Sequence, residues 1–96
     1  MAKAVDISIF QTIALDVPFK DGEGNTVTEL KIRRAKVVDM REANRQGGND
    51  ADIEIALLAR LTGLVPEDFN QMDMTDYFKL QKAFMDMQKG KSTSTP

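Results

Sequence analysis

The sequence predicts an α+β fold in which an N-terminal antiparallel β-hairpin packs on a bundle of about three α-helices. Two observations predict it. Apolar and polar residues alternate over the first third of the chain, and the remainder shows helical periodicity divided by glycines and a proline. A chain of 96 residues suits one domain. We therefore assign residues 11–88 to a single α+β domain, preceded by an extension over residues 1–10, for which a strand is the alternative, and followed by a disordered tail over residues 89–96.

The hairpin is predicted over residues 11–34. Between residues 7 and 19, six of the seven odd-numbered positions are apolar, which is typical of a strand with one buried face. Residues 20–25 contain two glycines and an asparagine and therefore predict a turn. A two-stranded hairpin is marginal in water, so it must pack on helices or pair with another chain. The inward face of its second strand is predicted to consist of Thr28, Leu30 and Ile32.

Three helices are predicted after the hairpin, over about residues 36–46, 50–62 and 74–88. Gly47 and Gly48 end the first helix, and Asn49 is suited to cap the amino end of the second. The second helix is apolar almost all the way round, so we expect it at the centre of the domain, covered on several sides. One of its apolar stripes consists of Ile53, Leu57 and Leu61.

Glu54 lies within this apolar helix and has two interpretations. It either reaches solvent or pairs with an arginine such as Arg41, or it is a catalytic carboxylate, which would need a second titrating partner. The chain contains no cysteine and no histidine. Disulfides, thiolate chemistry, Cys/His zinc sites and histidine catalysis are therefore excluded. We assign no catalytic, metal-binding or cofactor-binding residue and expect no enzymatic activity.

The third helix carries two apolar stripes divided by glutamines. Tyr77, Leu80, Phe84 and Met87 form the first stripe, and Met74, Phe78 and Met85 form the second. One stripe is sufficient for docking on the domain's own core. The methionines therefore either fill the core or, being flexible and polarizable, line a groove for a partner. On the second interpretation, the partner-binding residues are Met72, Met74, Phe78 and Met85.

Charge gives weaker information about partners. The net charge is −2, which argues against nucleic acid as the main partner. Four basic residues cluster at the end of the second strand without interleaved aromatic residues, so a solvated strand end is favoured over a nucleic-acid contact. No apolar run approaches the roughly 18 residues of a membrane span, and no targeting signal is present, so we expect a cytoplasmic protein without a membrane partner. The basic cluster consists of Lys31, Arg33, Arg34 and Lys36.

Several of these segments together resemble a known family. The hairpin ends in residues 28–34, the segment over residues 52–64 contains most of the second helix, and Pro66-Glu67-Asp68 follows that segment. This arrangement is similar to the small tail assembly chaperones of contractile-tailed bacteriophages and related prophages. The resemblance covers about residues 11–87, and its most specific part begins at Glu54.

The resemblance implies a non-enzymatic role in virion assembly. Such proteins bind the long tape measure protein in the cytoplasm of the infected cell and keep it soluble until the tail tube polymerises. They then leave, so the chain is not expected in the mature virion. A small nucleic-acid-binding regulator is the alternative function. A homo-oligomer is also left open, because the free edges of the hairpin are able to pair between chains.

Overall fold

A two-stranded antiparallel sheet followed by helices confirms the predicted α+β fold in the computed structural model of the chain. The structure describes residues 10–89, without the side chain of Lys89. Residues 1–9 of the predicted extension and residues 90–96 of the predicted tail lie outside this described part. Its elements are β1 (Phe10–Lys20), β2 (Thr26–Arg33), α1 (Val37–Gln46), α2 (Asp50–Thr62), a 3₁₀ helix (Pro66–Gln71) and α3 (Met74–Lys89). Phe10, predicted in the extension, is in a strand, and Lys89, predicted in the disordered tail, is helical.

The hairpin buries one face but departs from strict alternation near its turn. Ile13 pairs with Leu30, and both are buried. The pairing register then shifts between Ala14 and Phe19, which leaves Val17 exposed. Thr28 lies opposite this irregular segment and is also exposed, so its predicted inward position is wrong. A bulge adds residues on one strand and therefore breaks the period of two on which the prediction depended.

The second helix begins and ends as its sequence predicts. The Asn49 side chain accepts a hydrogen bond from the Asp52 amide (2.8 Å), and the Asp52 carboxylate accepts one from the Asn49 amide (3.2 Å). Gly63 ends the helix in the left-handed conformation, with φ 79°. The helix packs on β2, and the residues it buries completely include Leu58, whereas Leu57 is only partly buried. The face of α2 that packs in the core is therefore rotated by about one residue from the predicted stripe.

The third helix runs antiparallel to β1 and is fixed at both ends. In its first turn the buried Asp76 carboxylate accepts hydrogen bonds from the amides of Asp16 (2.8 Å) and Val17 (3.0 Å) at the bulge. At its other end, the Arg34 guanidinium donates to the Met87 carbonyl (3.1 Å). Burial alone would raise the pKa of Asp76, but the two amides and the Lys79 ammonium outweigh burial and hold the pKa below its usual value.

Two further aspartates are buried, and each joins segments that are distant in the sequence. Asp68 accepts hydrogen bonds from the amides of Gly22 (2.9 Å) and Val65 (3.2 Å), which attaches the hairpin turn to the 3₁₀ helix. Asp39 binds Arg33 from β2 and Arg60 from α2. Within residues 10–89, no helix is long and apolar enough to cross a membrane.

Candidate functional site

The surface of α3 carries three large apolar side chains that the domain does not cover. Met74, Phe78 and Met85 are 59%, 56% and 60% exposed. At about 100° per residue these positions fall within about 40° of one another on the helix. We call this surface, defined by Met74, Phe78 and Met85, the α3 apolar stripe. Its binding of a partner remains a prediction.

The other apolar stripe of α3 belongs to the core. Leu80 and Met87 are buried, and Tyr77 and Phe84 pack against the same cluster. The helix therefore already supplies enough apolar surface to hold it on the domain. Because the exposed stripe is not needed for that packing, it is available to cover another polypeptide.

Met72 does not lie on the exposed surface. It is 8% exposed and belongs to the core cluster. It precedes α3 and has an extended backbone (φ −79°, ψ 137°), so its position on a helical wheel does not describe where its side chain lies. The structure therefore separates Met72 from the other three residues predicted to bind a partner.

This separation predicts different stabilities for two methionine variants. Met72→Ser is expected to lower the free energy of unfolding by about 2–5 kcal/mol, since it removes buried methylene groups and leaves a cavity. Met85→Ser is the matched control and is expected to change it by less than about 1 kcal/mol, because its side chain is more than half exposed. Urea denaturation monitored by circular dichroism measures both. Equal losses would place Met85 in the core as well.

A polar cluster lies between α2 and α3. The Glu54 carboxylate accepts hydrogen bonds from the Tyr77 hydroxyl (2.7 Å) and from the Gln81 amide (3.0 Å to each oxygen). The predicted pairing of Glu54 with Arg41 is therefore wrong. Burial raises the pKa of the Tyr77 hydroxyl, and Glu54 raises it further, so the hydroxyl stays protonated and donates.

The basic cluster at the end of β2 is partly used inside the domain. Arg33 donates two hydrogen bonds to Asp39 (2.8 and 2.9 Å), and Arg34 donates to the Met87 carbonyl. These two guanidiniums hold the hairpin against the helices, which differs from the predicted solvated strand end. In the part of the chain that the structure describes, no three acidic side chains come together as a metal site would require.

Comparison with known proteins identifies the family. A family model described as phage tail assembly chaperone proteins, E, or 41 or 14, matches residues 12–89. The chain belongs to this family. The match runs from the third residue of β1 to the end of α3 and therefore includes the α3 apolar stripe. No curated protein matches the chain, and no solved structure does either.

Membership confirms the resemblance noted in the sequence. The chain is a chaperone of phage tail assembly, and its partners are phage tail proteins. The alternation in β1, the capping residues of α2 and the two stripes of α3 pointed to the fold that carries this function. The sequence did not reveal the structural role of the buried aspartates. Their partners lie far away along the chain, as Asp16 does from Asp76, and nothing near each aspartate in the sequence indicates them.

Proposed function

We propose that this chaperone binds the phage tape measure protein through the α3 apolar stripe and keeps it soluble until the tail tube polymerises around it. The observation that carries the proposal is the exposure of Met74, Phe78 and Met85 on a helix that is already held to its core by another face. An exposed apolar row on a helix suits the apolar face of a second helix. Methionine side chains adapt to such partners because they are flexible and polarizable.

The size of this surface suits weak binding that is later reversed. Full burial of a large apolar side chain contributes about 1.5–3 kcal/mol, so covering three half-exposed ones contributes roughly 3 kcal/mol in total. Association entropy offsets much of this amount. A single copy of the chaperone therefore binds its client, the tape measure protein, weakly. Several copies along one long client supply the affinity through avidity. Tail tube subunits then displace each copy at little cost.

This proposed role is non-enzymatic and belongs to the cytoplasm of the infected cell. The chaperone leaves the client as the tube forms, so it is absent from the mature virion. Membrane contact and nucleic-acid binding have no part in the role. The nucleic-acid alternative has less support, because two of the four basic residues, Arg33 and Arg34, bind groups within the domain. Binding to nucleic acid that falls steeply with salt would revive that alternative.

The test removes the α3 apolar stripe and measures the solubility and the binding of the tape measure protein. We expect the triple variant Met74→Ser, Phe78→Ser, Met85→Ser to stay folded and to lose binding of the tape measure protein by at least about tenfold, which corresponds to about 1.4 kcal/mol. A tape measure protein from the same phage is co-expressed with a tagged chaperone. Its soluble and co-purified fractions are then measured. With the variant, the tape measure protein is expected in the insoluble fraction.

A matched control removes a different exposed apolar group. Val37, Val38 and Met40 of α1 are 68%, 51% and 50% exposed, so their triple serine variant deletes comparable apolar surface elsewhere. It is expected to retain the client. Retention by the α3 variant, or loss in both variants alike, would refute the α3 site. A fall of more than about 10 °C in the Tm of the α3 variant would show that the stripe is core.

A further inference from the structure

The amino-terminal half of α2 carries three carboxylates, Asp50, Asp52 and Glu54, and none of them forms an ion pair with a side chain that the structure describes, those of residues 10–88. Asp50 and Glu54 are four residues apart and therefore lie on one face of the helix. Like charges at this spacing destabilise a helix by about 0.2–0.5 kcal/mol. Asp50 lies in the first turn, where the helix dipole favours an acid, so Glu54 is the carboxylate of this face that lacks a favourable charge among the described side chains.

Glu54 is placed next to the middle of the α3 apolar stripe. Its carboxylate is hydrogen-bonded to Gln81, which lies one turn beyond Phe78 and one turn before Met85 on α3. Residues 74, 78, 81 and 85 follow the spacing of one helix face. A helical segment lying along the stripe therefore passes close to the Glu54 carboxylate.

The hydrogen bonds of Glu54 differ from those of the buried aspartates. Asp39 binds two arginines and Asp76 lies beside Lys79, so burial of each charge is compensated by a cation. Asp68 is buried and uses both oxygens on backbone amides. Glu54 is half-buried, and the groups that donate to it, Tyr77 and Gln81, are neutral. A carboxylate has room for about four hydrogen bonds, so Glu54 still has capacity to accept one from a cation.

We infer that Glu54 selects segments of the client that carry a lysine or arginine on their apolar face. The inference rests on the proposed function and adds the charge that the client must supply. The segment places apolar side chains on Met74, Phe78 and Met85 and its cation at Glu54. That ion pair forms in a partly desolvated position, where the attraction between the two charges is screened less than on an open surface. Asp50 adds attraction along the same helix face.

A double-mutant cycle tests the pairing. Overlapping peptides of about 30 residues, covering the tape measure protein, are titrated against the wild-type chaperone, and each basic residue of a binding peptide is changed to glutamine. At one position the Kd is expected to rise about tenfold, the low end of coupling between close charges. Against Glu54→Gln the same peptide change is expected to have no effect.

Control variants separate this inference from the proposed function. Glu29→Gln removes an equal charge from an exposed position on β2 and is expected to leave the preference for the basic residue unchanged. Peptides that bind without any dependence on a basic residue, or with a dependence that persists in Glu54→Gln, would overturn the inference and leave the proposed function standing. If Glu54→Gln fails to fold, wild-type titrations in which no basic residue of the peptide matters still overturn the inference.

Binding of the full-length tape measure protein gives the remaining possible results of this test. If only the full-length tape measure protein binds, Glu54→Gln must weaken its retention about tenfold relative to Glu29→Gln, and equal retention would overturn the inference. Loss of all binding, by peptides and by the full-length protein with the wild-type chaperone, would refute the proposed function and the inference together.

Discussion

Leu58→Ala is expected to lower the free energy of unfolding by about 2–5 kcal/mol. The Leu58 side chain is 0% exposed and belongs to the cluster that joins α2 to the hairpin and α3. Truncation removes its contacts and leaves a cavity that a helix packed on several sides closes poorly. At about 0.05–0.15 kcal/mol per residue, the domain has little stability to lose. The variant is therefore expected to lose a large fraction of the domain's stability and to unfold at a lower urea concentration than the wild type.

Leu57→Ala is the matched control because it removes the same atoms one residue away. Leu57 is only partly buried, so its loss is expected to cost about 1 kcal/mol. Urea unfolding curves with equal m-values for the two variants allow their midpoints to be compared directly. A cost for Leu57→Ala equal to or above that of Leu58→Ala would mean that α2 faces the core as its sequence pattern first suggested.

The orientation of α2 shows what periodicity fails to predict. Its bounds follow from local signals, since Asn49 caps one end and Gly63 ends the other. Its rotation needs a contrast between apolar and polar faces, and this helix has little contrast because apolar residues surround it. The sequence therefore predicted a central helix correctly but placed Leu57 where the structure has Leu58. The neighbouring sheet and α3 set the rotation.

The third helix shows the opposite case. Charged residues such as Lys82 and Asp86 mark its solvent face, so the positions of both apolar stripes were readable from the spacing. Met72 lies in the core because it precedes the helix, so the helical spacing does not describe its position. The spacing of the apolar residues along α3 does not show which of its two apolar stripes the domain covers. That choice depends on β1, which α3 contacts through Asp76 and Lys79.

The hydrogen bonds of the buried aspartates depend on distances along the chain that no local pattern contains. Asp39 reaches Arg60 across 21 positions, and Asp76 reaches Asp16 across 60. Each side chain accepts hydrogen bonds from groups that would otherwise lack a partner near the core, which is why the chain tolerates its burial. A sequence shows an aspartate near a predicted helix start, but it does not show which strand or bulge that aspartate will contact.

Asp39→Asn is expected to lower the free energy of unfolding by about 2–4 kcal/mol at pH 7. Asp39 is 1% exposed and accepts hydrogen bonds from Arg33, from Arg60 (3.1 Å) and from the Lys36 amide (2.8 Å). It therefore ties the end of β2, the start of α1 and the end of α2 together. The two arginines are each about a third exposed, so solvent screens part of the attraction and keeps the loss below that of a fully buried pair.

A surface aspartate provides the comparison. Asp86 lies 3.5 Å from Lys82, and both side chains are exposed. Asp86→Asn removes the same charge and is expected to change the free energy of unfolding by less than about 0.5 kcal/mol. Equal effects of the two substitutions in urea denaturation would mean that overall charge, and not the position of Asp39, determines the loss.

Acid titration gives this prediction a second readout. The hydrogen bonds from Arg33 hold the pKa of Asp39 well below its usual value, although burial opposes them. A carboxylate whose pKa is lowered by folding stabilises the fold above its unfolded pKa, about 3.9, and loses that contribution as the pH falls towards its folded pKa. The difference in stability between the wild type and Asp39→Asn should therefore be constant above about pH 5 and shrink below about pH 4. A difference that stays unchanged down to about pH 2 would show that the charge of Asp39 does not cause the loss, because protonation would then remove nothing that the carboxylate contributes.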